Sequence, residues 1–140
     1  MGCKNSVEKY LDSLPSDIKI IDVSKKNLNY LPDLSRFKKL EILICYYNNL
    51  TSLPNLPENL KELHCFFNNL TSLPNLPENL KKLHCHYNNL TSLPVLPKNL
   101  EILYCHYNNL ISLPVLPEKL KDLHFFKNPI SEIIVYNYDY

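Results

Sequence analysis

The side chains with reactive chemistry to offer in this 140-residue chain are five histidines and five cysteines, and most of them recur at one interval. Cys45, Cys65, Cys85 and Cys105 stand twenty residues apart, as do His64 and His84, and His86 and His106. Histidines two apart on one strand, joined by a third from a neighbouring strand, can converge on an ion. His84, His86 and His106 are therefore a candidate site for zinc or copper. Cys85 beside His86 has the composition of a thiol nucleophile with its base. A column of four thiols could also bind metal, form disulfides, or serve only as small buried hydrophobes. Which chemistry survives depends on the elements that hold these residues.

Leu60 to Asn79 reads LKELHCFFNNLTSLPNLPEN, and nearly the same twenty residues start again at Leu40, Leu80 and Leu100. Self-similarity at this period marks a solenoid, whose coils bury their apolar edges only by stacking on one another. Six units fit the frame L-x-x-L-x-L-x-x-N-x-L, beginning at Ile18, Leu40, Leu60, Leu80, Leu100 and Leu120. The expected architecture is a curved parallel β-sheet on the concave side, α/β by convention and mostly β here. In the central returns, such as Leu53-Pro54-Asn55-Leu56-Pro57, two prolines remove backbone donors and push the preceding leucines to extended conformations. The convex side should then be extended and polyproline-like, not helical. The first unit is degenerate, with Lys26 at the asparagine position. Its longer return over 31–37 has room for a helical turn, with Leu34 and Phe37 inward.

Residues 1 to 17 do not repeat. Asn5 and Glu8 are spaced as a capping box, and Val7, Leu11 and Leu14 fall on one face of a short helix. This segment is expected to cap the first coil. The solenoid should run from 18 to 134, closed at the far end by Ile133, Ile134 and Tyr136, with 135–140 as a tail.

Side chains alternate across a strand, so an inward Leu63 and Cys65 put His64 and Phe66 on the concave face. Adjacent residues point to opposite faces, which rules out the Cys85–His86 dyad. The four repeating thiols should stack inside about one strand spacing, ~4.8 Å, apart, and fit a reducing, cytoplasmic compartment. Asn48, Asn68, Asn88, Asn108 and Asn128 form a second ladder, suited to satisfying backbone groups where the chain leaves the sheet. The following Asn49, Asn69, Asn89 and Asn109 are expected to supply positive φ in a chain with one glycine.

Three files line the concave face. One runs Asp22, Ile44, His64, His84, Tyr104, His124. The next runs Ser24, Tyr46, Phe66, His86, His106, Phe126. The third runs Lys25, Tyr47, Phe67, Tyr87, Tyr107, Lys127. An uncharged aromatic centre bordered by Lys and Glu has the composition of a protein interface. Stacking of the rings on one another is the competing account. Packed histidines should also repel when protonated, which lowers their pKa.

A net charge of +1 leaves no basic footprint for nucleic acid. No run reaches the ~18 apolar residues that span a bilayer, and no apolar h-region marks a secretory signal. Met1-Gly2-Cys3-Lys4-Asn5-Ser6 matches the N-myristoylation pattern, with Cys3 placed for the palmitate that firm anchoring needs. Made in a eukaryotic host cell, the chain would then sit at a cytoplasmic membrane surface.

Over roughly residues 14 to 134 the chain resembles the leucine-rich repeat superfamily. The Leu-Pro-x-Leu-Pro-x-x-Leu phrase looks like its shortest, bacterial-effector class. The Cys ladder followed by Asn-Asn-Leu-Thr-Ser is most similar to repeat proteins of large amoeba-infecting viruses. Cys stands where the effectors have Val or Leu, and the ubiquitin-ligase domain of some effectors has no counterpart here. The resemblance implies a protein or peptide partner, with no shared catalytic residues and no cofactor. The expected function is a non-enzymatic binding module gripping that partner on its concave face. Metal binding through the concave histidines, or a lipid-anchored membrane adaptor, is the alternative. The repeats encode neither the partner's identity nor the oligomeric state.

Overall fold

The computed structural model describes residues 5–130 of the chain. Gly2, Cys3, Ile133, Ile134, Tyr136 and the segment 135–140, which carry the expected lipid site, end closure and tail, lie outside the described residues. The chain begins with one helix, α1 (Ser6–Ser13), followed by six short strands. These are β1 (Ile20–Asp22), β2 (Ile42–Ile44), β3 (Glu62–His64), β4 (Lys82–His84), β5 (Ile102–Tyr104) and β6 (Asp122–His124). They form a single parallel sheet in sequence order, and each strand pairs with the next at an unchanged register.

The pairing outlasts the formal strands. Cys45 N–H donates to the His64 carbonyl at 2.9 Å and Tyr47 N–H to the Phe66 carbonyl at 3.1 Å, and the same pair of bonds repeats in the coils that follow. A repeated sequence gives a repeated conformation because each coil meets the same neighbours above and below.

The core is a stack of leucines. Leu43, Leu63, Leu83 and Leu103, with Leu50, Leu70, Leu90 and Leu110, are wholly buried, as are the four repeating cysteines. The convex returns contain no helix and run extended between residues 53 and 57 and their equivalents, as the paired prolines require. A single tight turn then brings Leu60 N–H to the Pro57 carbonyl at 3.2 Å, and the later coils repeat it. The first return is no helix either. It has two such turns in succession, Phe37 N–H to the Leu34 carbonyl at 3.0 Å and Leu40 N–H to the Phe37 carbonyl at 3.1 Å, with the Leu34 and Phe37 side chains buried as expected.

Helix α1 closes the N-terminal end. Asn5 and Glu8 form the capping box, each side chain bonding the other's backbone N–H at 3.0 Å. Val7 and Leu11 are buried against the first coil, and Leu14 caps the helix. Arg36 ties the cap down by donating to the carbonyls of Leu11 (2.5 Å) and Leu14 (2.7 Å). A cation at that point also favours the negative end of the helix dipole.

Candidate binding face

Alternation along each strand sorts neighbouring residues onto opposite sides. Cys45, Cys65, Cys85 and Cys105 are fully buried and free, and burial pushes their thiols up, Cys105 to about 12. Such thiols are unreactive. His86 lies across the sheet from its neighbour Cys85, stacked among the concave rings.

The buried asparagines lie at the exit of the sheet, as their spacing implied. Asn88 donates to the carbonyls of Cys65 (3.0 Å) and Cys85 (3.1 Å) and accepts from Leu70 N–H at 2.9 Å. Asn48, Asn68, Asn108 and Asn128 repeat this bridge between successive coils.

The expectation for the next asparagines is corrected. Positive φ falls on Lys25, Tyr47, Phe67, Tyr87, Tyr107 and Lys127, with Asn27 alone from the exposed asparagine file. The chain must reverse before Asn48 so that its amide can enter the core, and the residue ahead of Asn48 makes that left-handed step. Asn49 is not left-handed, and its N–H donates to the Leu28 carbonyl at 2.8 Å. Placing a side chain with a Cβ in this region costs on the order of 1–2 kcal/mol per residue.

The three expected files are present as columns. Tyr46, Phe66, His86, His106 and Phe126 stack with centroids 4.5–4.6 Å apart. Tyr47, Phe67, Tyr87 and Tyr107 stack at 4.2–4.4 Å, within 9° of parallel. His84, Tyr104 and His124 stack likewise, but His64 meets His84 edge-on. Lys25 ends the outer column, its ammonium 5.7 Å from the Tyr47 ring centre.

The expected metal set does not converge. His86 and His106 lie flat on each other at 4.5 Å, so their in-plane lone pairs run side by side. His84 and His86 are tilted at 6.2 Å, and among the described residues no three His, Cys, Asp or Glu side chains are placed so that together they could hold a metal ion. His64 and His84 instead bring ring nitrogens together, with their Nδ1 atoms 3.1 Å apart. His64 Nε2 in turn meets Glu62 Oε2 at 3.1 Å.

Glu62 belongs to a fourth concave file that sequence reasoning passed over: Ile20, Ile42, Glu62, Lys82, Ile102, Asp122. Its signal was the same alternation, two residues before each of Asp22, Ile44, His64, His84, Tyr104 and His124. Here Lys82 pairs with Glu62 at 3.1 Å, and the Tyr104 hydroxyl donates to Asp122 at 2.5 Å. Burial opposes ionisation of Glu62, but contacts from His64 and Lys82 hold its pKa below the usual range.

Burial is the first cause of depressed imidazole basicity, and histidine neighbours the second. His84 falls to about 4 through burial and then His64. His86 also falls to about 4, through burial and then His106, while His106 itself is lowered by burial and His124. With His86 and His106 held neutral, the two columns that begin at Tyr46 and Tyr47 carry no charge between Lys25 and Lys127 at neutral pH, whereas Glu62 and Lys82 carry theirs in the fourth file.

Beside the outer column lies a shallow, open trough of about 910 Å³, lined by its rings and by the asparagines that follow each of them, among them Asn49, Asn69, Asn89 and Asn109.

Residues 78–118 match a family model described as two copies of leucine-rich repeats. The fold is similar to the leucine-rich repeat domain of a Shigella effector, with a TM-score of 0.83 and 35% identity over 94% of this chain. It is also similar to YopM from Yersinia enterocolitica, with a TM-score of 0.76 and 34% identity over 86% of this chain. The chain spans 58% and 31%, respectively, of those two structures. No curated protein sequence matches it. These likenesses bear out the bacterial-effector resemblance and do not speak to the viral one.

Proposed function

This chain is a leucine-rich repeat protein, and on that premise we propose that its concave aromatic face is the surface on which it binds a protein partner. The family is generally a scaffold for protein interaction, which supports the module-level reading. The single observation that supports the face is its chemistry: parallel ring columns with an uncharged centre, on a sheet rimmed by ion pairs such as Lys61–Glu41 and Lys121–Glu101.

Stacking within the columns hides ring faces but leaves Tyr47, Tyr87, Tyr107 and Phe126 substantially exposed. Stabilising a sheet would not require that exposure, whereas anchoring a partner would. The protein acts as a scaffold and not as an enzyme, in keeping with thiols sealed away from the histidines.

Affinity capture from cell extract tests this, comparing the wild-type chain with a Tyr87→Ala, Tyr107→Ala double variant. Both rings sit on the surface, so the variant should fold with unchanged circular dichroism and lose its captured partner. Retention of every wild-type partner by the folded variant would refute the assignment.

A further inference from the structure

The outer column differs from the other two in its backbone. From Lys25 to Lys127 every member is held at φ between 51° and 57°, a conformation that glycine or asparagine adopts with least strain. The repeat has asparagine at the next two positions in its central coils, yet it places rings here. Strain kept through successive coils points to what the side chains do once placed. They line the trough together with the exposed asparagines.

We propose that this trough takes an extended peptide segment running along the solenoid axis, uncharged in its middle and carrying an acidic side chain at each end. The inference rests on the concave face being the binding surface, and it specifies the partner's chemistry. The asparagine lining supports a main-chain ligand, because an amide offers the same donor and acceptor as a peptide group. Asn69, Asn89 and Asn109 have no side-chain hydrogen bond among the described residues, unlike their buried neighbours.

The rings exclude two other ligand classes. Each internal ring has both faces covered by its neighbours at 4.2–4.4 Å, so sugars or bases find no platform within the column. What the trough meets is ring edges, which are weakly positive and favour carbonyl oxygen.

Charge fixes the ends. The only charged side chains lining the trough are Lys25 and Lys127, one at each end. Neither has a carboxylate partner among the described residues, whereas Lys61, Lys82 and Lys121 on the same solenoid do. Five strand spacings separate them. At about 4.8 Å each, and about 3.4 Å per residue of extended chain, the acids should stand about seven residues apart.

Fluorescence polarisation with labelled synthetic peptide pools tests the proposal. Each pool has randomised uncharged residues between two glutamates, placed four, seven or ten residues apart, with glutamine-ended and lysine-ended pools as controls. The seven-residue glutamate pool should bind tightest, and the glutamine pool roughly tenfold more weakly. A Lys25→Glu, Lys127→Glu variant, altered only at exposed positions, should prefer the lysine-ended pool. Binding that ignores end charge or spacing, an unreversed preference, or no binding by any pool would overturn the groove. Ring-dependent capture of a natural partner would survive any of these results, so failure of the groove is distinguishable from failure of the face.

Discussion

Asn88 and Asn89 are the same residue one step apart, and the structure gives them opposite duties. Asn88 is buried, and its amide joins two coils through three backbone groups. Asn89 keeps its backbone in the ladder, donating to the Leu70 carbonyl at 2.9 Å, and turns its amide to the trough. Cys85 and His86 repeat the contrast across the sheet, one sealed in the core and the other on the concave face. What separates each pair is register alone. In a stacked coil, one position decides whether a side chain holds the fold together or is presented to a partner.

The sharpest way to break that comparison is to remove each amide. Asn88→Ala leaves several buried groups unpaired and should cost about 2–3 kcal/mol, whereas Asn89→Ala should stay within about 0.5 kcal/mol. Urea unfolding of the two variants measures both, and equal losses would erase the distinction.

Acid separates the two sides next. His84 and His86 titrate near 4 in the fold against 6.5 unfolded. Between those values the unfolded chain binds more protons, so the stability they contribute is complete above pH 6.5 and is lost as pH falls toward 4. Both are only half-buried, and solvent screening reduces the effect to about 1–3 kcal/mol for the pair. A His84→Gln, His86→Gln variant should lose that slope in thermal melts followed from pH 7.5 to 4. An unaltered slope would place the acid sensitivity elsewhere.

The smallest effect concerns the strained column. Tyr87→Asn removes stacking on Phe67 and Tyr107, worth about 0.5–1.5 kcal/mol per ring pair. It also relieves a left-handed tyrosine, which offsets about 1–2 kcal/mol. Stability should fall by no more than about 2 kcal/mol while partner capture weakens. A loss well beyond that would make the column structural.

Much of the face was legible beforehand because a strand's alternation needs no tertiary information. Once Leu63 and Cys65 are inward, His64 and Phe66 must be outward, and the twenty-residue period stacks each on its equivalent. The same rule would have found Glu62 and Asp122, had it been carried two residues upstream. Ring orientation was not legible: His86 and His106 lie flat together, while His64 meets His84 edge-on. Lone-pair direction depends on packing angles, so the expected metal set could not be judged from spacing.

The chain's composition and period by themselves determined the coils, the inward thiols, the extended proline returns and the capping box. Each follows from local chemistry: alternation, missing backbone donors, or paired side chains three residues apart. Tertiary structure alone decided where the left-handed step falls. Residue preference pointed to asparagine, but the amide of Asn48 and its equivalents is needed in the core, and the ring before it takes the strained conformation. The trough beside those rings exists for the same reason.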